Sequence, residues 1–123
     1  MKASGPVCRI AFFALLLVDA ALSLQPRASV DAMYSPEIQS WDLAVHAALY
    51  AALAALACGG FVRRGPGSWR GRLAVWILLA GLGAVLELLQ TLPAVGRSCS
   101  LSDVLSNAAG ALAGALAAPA RRT

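Results

Sequence analysis

Six polar residues are spaced in pairs that share helix faces, and a seventh lies in a turn between two of the pairs. Asp42 and His46 are four apart, Glu87 and Gln90 three apart, Asp103 and Asn107 four apart, and Arg97 falls between the last two pairs. Residues three or four apart lie on the same side of a helix. Tyr50 extends the Asp42–His46 face, and Gly110 and Gly114 extend the Asp103–Asn107 face. The residue types suffice for acid–base chemistry, with His46 and Glu87 as base and acid and Asp103 orienting one of them. They suffice equally for binding. Arg97 suits bidentate capture of a phosphate or carboxylate, and Gln90 and Asn107 suit hydroxyls or amides. No nucleophile emerges, because Ser100, Ser102 and Ser106 have no base paired to them by spacing. The chain has no CxxC or HxxxH pair, so neither a metal nor a cofactor is expected.

Each of these residues also has a plain structural role open to it. Ser100-x-x-Asp103 before an apolar run is a capping box, and Ser40 and Asp42 can likewise cap the helix that begins near Leu43. Gly110-x3-Gly114 is a close-packing pattern. Arg97 can lock a hairpin or pair with Glu87 or Asp103. Asp19 reads either as a fifth carboxylate of the pocket or, preferred here, as a marginal residue at the outer edge of its apolar run. Glu87, inside "AVLELLQTL", has no capping role to play.

The elements that carry these residues are apolar. Of 123 residues, 59% are hydrophobic and only 13% charged, against about 25% charged in soluble domains. Mean hydropathy is +0.72. A soluble fold of this size could not cover so much apolar surface. Four stretches, Ile10–Leu24, Leu43–Val62, Leu73–Leu92 and Leu101–Ala118, stand out. Membrane-spanning helices take about 17–25 residues, and Ala and Leu favour helix. The expected fold is therefore all-α: one domain, residues 1–123, with four transmembrane helices at about 7–24, 43–62, 73–92 and 101–118. The first needs Arg9 to snorkel. With Lys2, Arg9 and Ala21-Leu22-Ser23 it also fits a cleavable signal peptide. Pro93 should end the third helix, and the short link to Cys99 makes helices three and four antiparallel neighbours. Residues 25–40 read as irregular surface with room for a short interfacial turn, and "RRGPGSWRGR" as a flexible connector.

Charge sets an orientation. Lys2, Arg9, Arg63, Arg64, Arg70, Arg72, Arg121 and Arg122 fall on one side, leaving Arg27 and Arg97 on the other. The side with eight of the ten basic residues is expected to be cytoplasmic, with both termini there. All six acids fall toward the opposite side. Trp69 and Trp76 mark the inner interface and Trp41 the outer. The pI of about 9.5 thus reflects topogenic arginines and not a nucleic-acid partner, since no basic stripe with interleaved aromatics exists. Cys8 and Cys58 lie on the reducing side and Cys99 alone outside, so no disulfide is expected. A carboxylate facing lipid costs about 2.5–3.5 kcal/mol at the helix centre. The polar faces are therefore expected to turn toward each other and form an outward-opening pocket.

The ordered set Asp42-x3-His46, Glu87-x2-Gln90 and Arg97-x5-Asp103-x3-Asn107-x2-Gly110-x3-Gly114 resembles the VanZ-like family over about residues 41–114. Members often carry a basic residue after the aspartate and an aromatic after the histidine; here these are Leu43 and Ala47. The resemblance implies a small multi-pass protein of the bacterial cytoplasmic membrane and cell envelope, linked to tolerance of teicoplanin-type glycopeptide antibiotics. It implies no established activity. Three functions compete: a binding module for a polar or lipid-linked envelope precursor, an intramembrane acid–base enzyme, and a structural partner of another membrane protein or of a second copy.

Overall fold

The structure, a computed structural model, describes residues 5–33, 35, 37, 41–63, 65–97 and 99–118. Lys2, Ser40, Arg64, Arg121 and Arg122, named above for charge or capping, lie outside the described residues. Among the described residues there are five helices: α1 (Gly5–Ser23), α2 (Arg27–Met33), α3 (Asp42–Phe61), α4 (Ser68–Leu89) and α5 (Leu101–Ala117). α1, α3 and α4 are long and apolar enough to cross a membrane, and α5 is a shorter apolar helix of 17 residues. The fold is an all-helical bundle, and length and composition make it a plausible four-span membrane protein.

Large apolar side chains point outward from every one of these four helices. Leu17, Leu78 and Leu116 are each 70–72% exposed. In water this surface would drive association; in a bilayer it is simply the lipid-facing side. The buried core is small: Tyr50, Leu53, Ala54, Cys58 and Val62 on or beside α3 meet Leu79 of α4 and Ala111 and Ala115 of α5.

α3 and α5 form the tightest helix pair in the bundle. The reason is two glycines. A Cβ on Gly110 would collide with the Ala47 carbonyl, and one on Gly114 with the Ala51 carbonyl. Bare backbone on α5 therefore sits directly against the α3 backbone, as small-residue faces allow in membranes. Gly83 of α4 plays a similar part, because a Cβ there would lie 2.9 Å from Asn107 Nδ2 and 3.3 Å from Tyr50 Cε1.

Side-chain donors on backbone carbonyls fasten the rest. Arg9 Nε donates to the Gly60 carbonyl at 2.8 Å, its guanidinium over the Phe61 ring. Arg72 donates to the Ala115 carbonyl, and Trp76 Nε1 to the Ala108 carbonyl at 3.0 Å. Trp76 thus packs between α4 and α5. Trp41 and Trp69 remain 69% and 61% exposed.

The structure corrects three boundaries. α4 starts at Ser68, five residues before Leu73, because the glycine connector ends at Gly67, whose φ of 86° suits glycine alone. It stops at Leu89, ahead of Pro93, where the chain turns through Gly96 at φ 67°. Residues 27–33, read as irregular, form α2. The three cysteines are free; Cys8 and Cys58 are buried and Cys99 is exposed.

Candidate functional site

The polar residues collect at the end of the bundle opposite Arg9 and Arg72. Asp42 opens α3, and one turn on, His46 Nε2 lies 3.3 Å from Asp42 Oδ1. The His46 side chain is only 12% exposed and that of Asp42 46%. Across the α3–α5 interface, His46 Nδ1 and Asn107 Oδ1 are 2.9 Å apart. An amide oxygen only accepts, so Nδ1 donates and Nε2 is left to face Asp42. Asn107 itself is 2% exposed. The close glycine packing below it sets the distance that this bond spans. Beside it, Ser106 Oγ donates to the Leu43 carbonyl at 2.6 Å.

Glu87, 1% exposed at the end of α4, accepts a hydrogen bond on Oε2 from the Ser100 backbone N–H at 3.1 Å. Ser100 in turn caps α5, its hydroxyl accepting from the Asp103 N–H at 3.3 Å. This is one half of a capping box. In the full motif the acid at the third position would take the Ser100 N–H. Here Glu87 takes it from the neighbouring helix. Glu87 thus has the capping role that its own helix did not suggest, and Asp103 is released from it. Among the described residues nothing hydrogen-bonds the Asp103 carboxylate.

Gln90 and Arg97 act on α1. Gln90 Nε2 donates to the Ser23 carbonyl at 2.8 Å, and Arg97 Nη1 donates to the same carbonyl at 3.0 Å and to Leu22 at 3.4 Å. These are the orphan carbonyls of a helix C-terminus. The Arg97 N–H closes the turn on the Gln90 carbonyl at 3.0 Å. Arg97 therefore does not form the ion pair with Glu87 or Asp103 that its position suggested. Arg27 pairs instead with Asp31, and His46 lies against Asp42.

Sequence reasoning preferred the wrong one of its two readings of Asp19. It is 1% exposed and not a marginal edge residue. Its carboxylate accepts from the Tyr50 hydroxyl at 3.0 Å and from Ser23 Oγ at 3.4 Å. The spacing Asp19-x3-Ser23 was the available signal. Its partner on α3 was not, because nothing in the chain says that α1 faces Tyr50.

The fold thus brings Asp42, His46, Asp103 and Asn107 into one group. Glu87, Gln90 and Arg97 surround it as connections between helices, and Gly110 and Gly114 set the packing below. One ligating atom each from Asp42, His46 and Asp103 falls within 4.8 Å of the others, a gathering that could hold a cation and that spacing along the chain does not reveal. A cavity of about 200 Å³ lies here, lined by Arg27, Val30, Asp42, Gln90, Arg97, Ser100 and Asp103. A second, of about 270 Å³, is bounded by Asp19, Leu22, Val45, His46 and Leu49, and shares Val30, Asp42 and Arg97 with the first.

No curated protein and no solved structure matches this chain. The family model described as VanZ/LLP1 matches residues 9–122, nearly the whole sequence. With the apolar helices and the polar group they carry, that match establishes that the chain belongs to the VanZ-like family of membrane proteins.

Proposed function

We propose that this VanZ-like protein binds the polar headgroup of a lipid-linked envelope ligand in the cavity beside Asp42 and Asp103, on the extracytoplasmic face of the bacterial cytoplasmic membrane. The charge asymmetry supports the orientation, since Arg9, Arg63, Arg70 and Arg72 lie at the other end. The observation that carries the reading is the Asp103 carboxylate. It lines the cavity and is relieved of its capping duty by Glu87. A polar group held ready at a concave surface is what a binding site requires.

An acid–base enzyme is the alternative, favoured by the orientation of His46 between Asp42 and Asn107. Binding fits better, because the nearby hydroxyls are spent on structure: Ser100 caps α5 and Ser106 donates to Leu43. Asp103→Asn and Asp42→Asn, each assayed for membrane abundance and teicoplanin susceptibility, test the proposal. Normal abundance with a lost phenotype supports the site. Lost abundance assigns the group a structural role instead, and wild-type behaviour of both variants in both assays removes the site altogether.

A further inference from the structure

The two cavities adjoin but differ in character. Arg27, Gln90, Arg97 and Asp103 surround the first, while Leu22, Val45 and Leu49 wall much of the second. Leu22 and Val45 are 42% and 55% exposed, so the second cavity gives onto the lipid-facing surface between α1 and α3. A headgroup in the first and an aliphatic chain in the second would make one amphiphile.

The first cavity carries both signs of charge. Arg27 and Arg97 supply guanidinium groups, and Asp42 and Asp103 supply carboxylates. Arg97 commits Nη1 to the end of α1, but a guanidinium holds five N–H donors, which leaves others for a phosphate. Arg27 is paired with Asp31, both side chains being more than half exposed. Such a pair is held by little and can be exchanged. A purely anionic headgroup would face two carboxylates, and a purely cationic one two guanidinium groups. A headgroup bearing both signs answers each side.

The carboxylates also specify the kind of amine. They accept N–H hydrogen bonds, which a primary ammonium offers and a quaternary ammonium lacks. Quaternary ammonium groups are usually recognised by aromatic rings, and no aromatic residue lines either cavity among the described residues.

We infer that the site takes a membrane lipid whose headgroup joins a phosphate to a primary amine, an aminoethyl phosphate, with one acyl chain lying against Leu22, Val45 and Leu49. This deepens the reading of the cavity as a headgroup site and rests on it.

The test uses the full chain, incubated with vesicles of equal phosphatidylethanolamine, phosphatidylglycerol and phosphatidylcholine. Lipids that remain bound are counted by native mass spectrometry. The expected result is retention of phosphatidylethanolamine over each of the others by about fivefold or more. Asp42→Asn with Asp103→Asn brings that ratio close to one, and a ratio is insensitive to how much protein folds. Leu49→Trp, which fills the apolar cavity, lowers retention of every lipid. If phosphatidylglycerol or phosphatidylcholine is favoured and Leu49→Trp still lowers retention, the inferred lipid class is wrong while the headgroup site stands. If retention shows no preference, or is indifferent to all three substitutions, both the class and the site fall.

Discussion

Glu87 Oε2 and the Ser100 backbone N–H are 3.1 Å apart, and that bond ties the end of α4 to the start of α5. A buried carboxylate at a membrane helix end is costly unless it is used. Here it accepts from the N–H of Ser100, the residue that caps the next helix. The chain between the two helices then only has to turn, which it does through Gly96. One consequence reaches the cavity, since the Asp103 carboxylate is no longer needed at its own helix end.

Glu87→Gln keeps an oxygen able to accept from Ser100, whereas Glu87→Ala leaves that N–H unpaired. The alanine variant should lose about 1–3 kcal/mol, the cost of a buried unsatisfied group, and should accumulate less in membranes. The glutamine variant should lie close to wild type. Membrane abundance and thermal unfolding in detergent check this. Equal behaviour of the two variants would mean that the Ser100 bond carries no weight.

The Asp19–Tyr50 bond is a buried side-chain link between α1 and α3. Tyr50→Phe removes the stronger of the two donors to Asp19 and should destabilise by about 1–3 kcal/mol. Tyr50→Phe combined with Asp19→Leu and Ser23→Ala removes all three polar groups together and should recover much of that loss, since the apolar set strands no donor or acceptor. Thermal unfolding of the single and combined variants reads the coupling. A combined variant no better than Tyr50→Phe alone would show that Asp19 has another function.

Gly110→Ala and Gly114→Ala would each drive a methyl into an α3 backbone carbonyl, which cannot swing aside as a flexible side chain could. Each should cost about 1–3 kcal/mol, the usual range for overpacking. Gly81→Ala is the internal control. It lies on exposed α4 with nothing within 4 Å of an added Cβ, so it should be neutral or gain up to about 1 kcal/mol from lower chain entropy. Unfolding temperatures of the three variants check the contrast.

How far the sequence speaks for itself follows from where each partner lies. Asp42 with His46, and Asp103 with Asn107, are within one helix, so spacing alone puts each pair on one face. The His46–Asn107 bond needs α3 and α5 to touch; the Gly110-x3-Gly114 face announces a close contact but not which helix it meets. Asp19 has its partner thirty-one residues away on a helix whose rotation about its axis no local pattern fixes. Arg97 bonds to backbone carbonyls of α1, and a carbonyl has no identity in a sequence. For the same reason an ion pair with Glu87 or Asp103 was the natural expectation, and the wrong one. Glu87 likewise found a backbone N–H across a turn.

The central claim is that the cavity beside Asp103 opens away from the cytoplasm, and Cys99 tests it most directly. It is exposed, it adjoins the capping residue Ser100, and the other two cysteines are buried at the opposite end. With Cys8 and Cys58 replaced by alanine, a membrane-impermeant maleimide is applied to intact spheroplasts and, separately, to permeabilised ones. The account predicts full labelling of Cys99 in the intact cells, with no increase on permeabilisation. Labelling that appears only after permeabilisation would put the polar group on the cytoplasmic side and contradict the account.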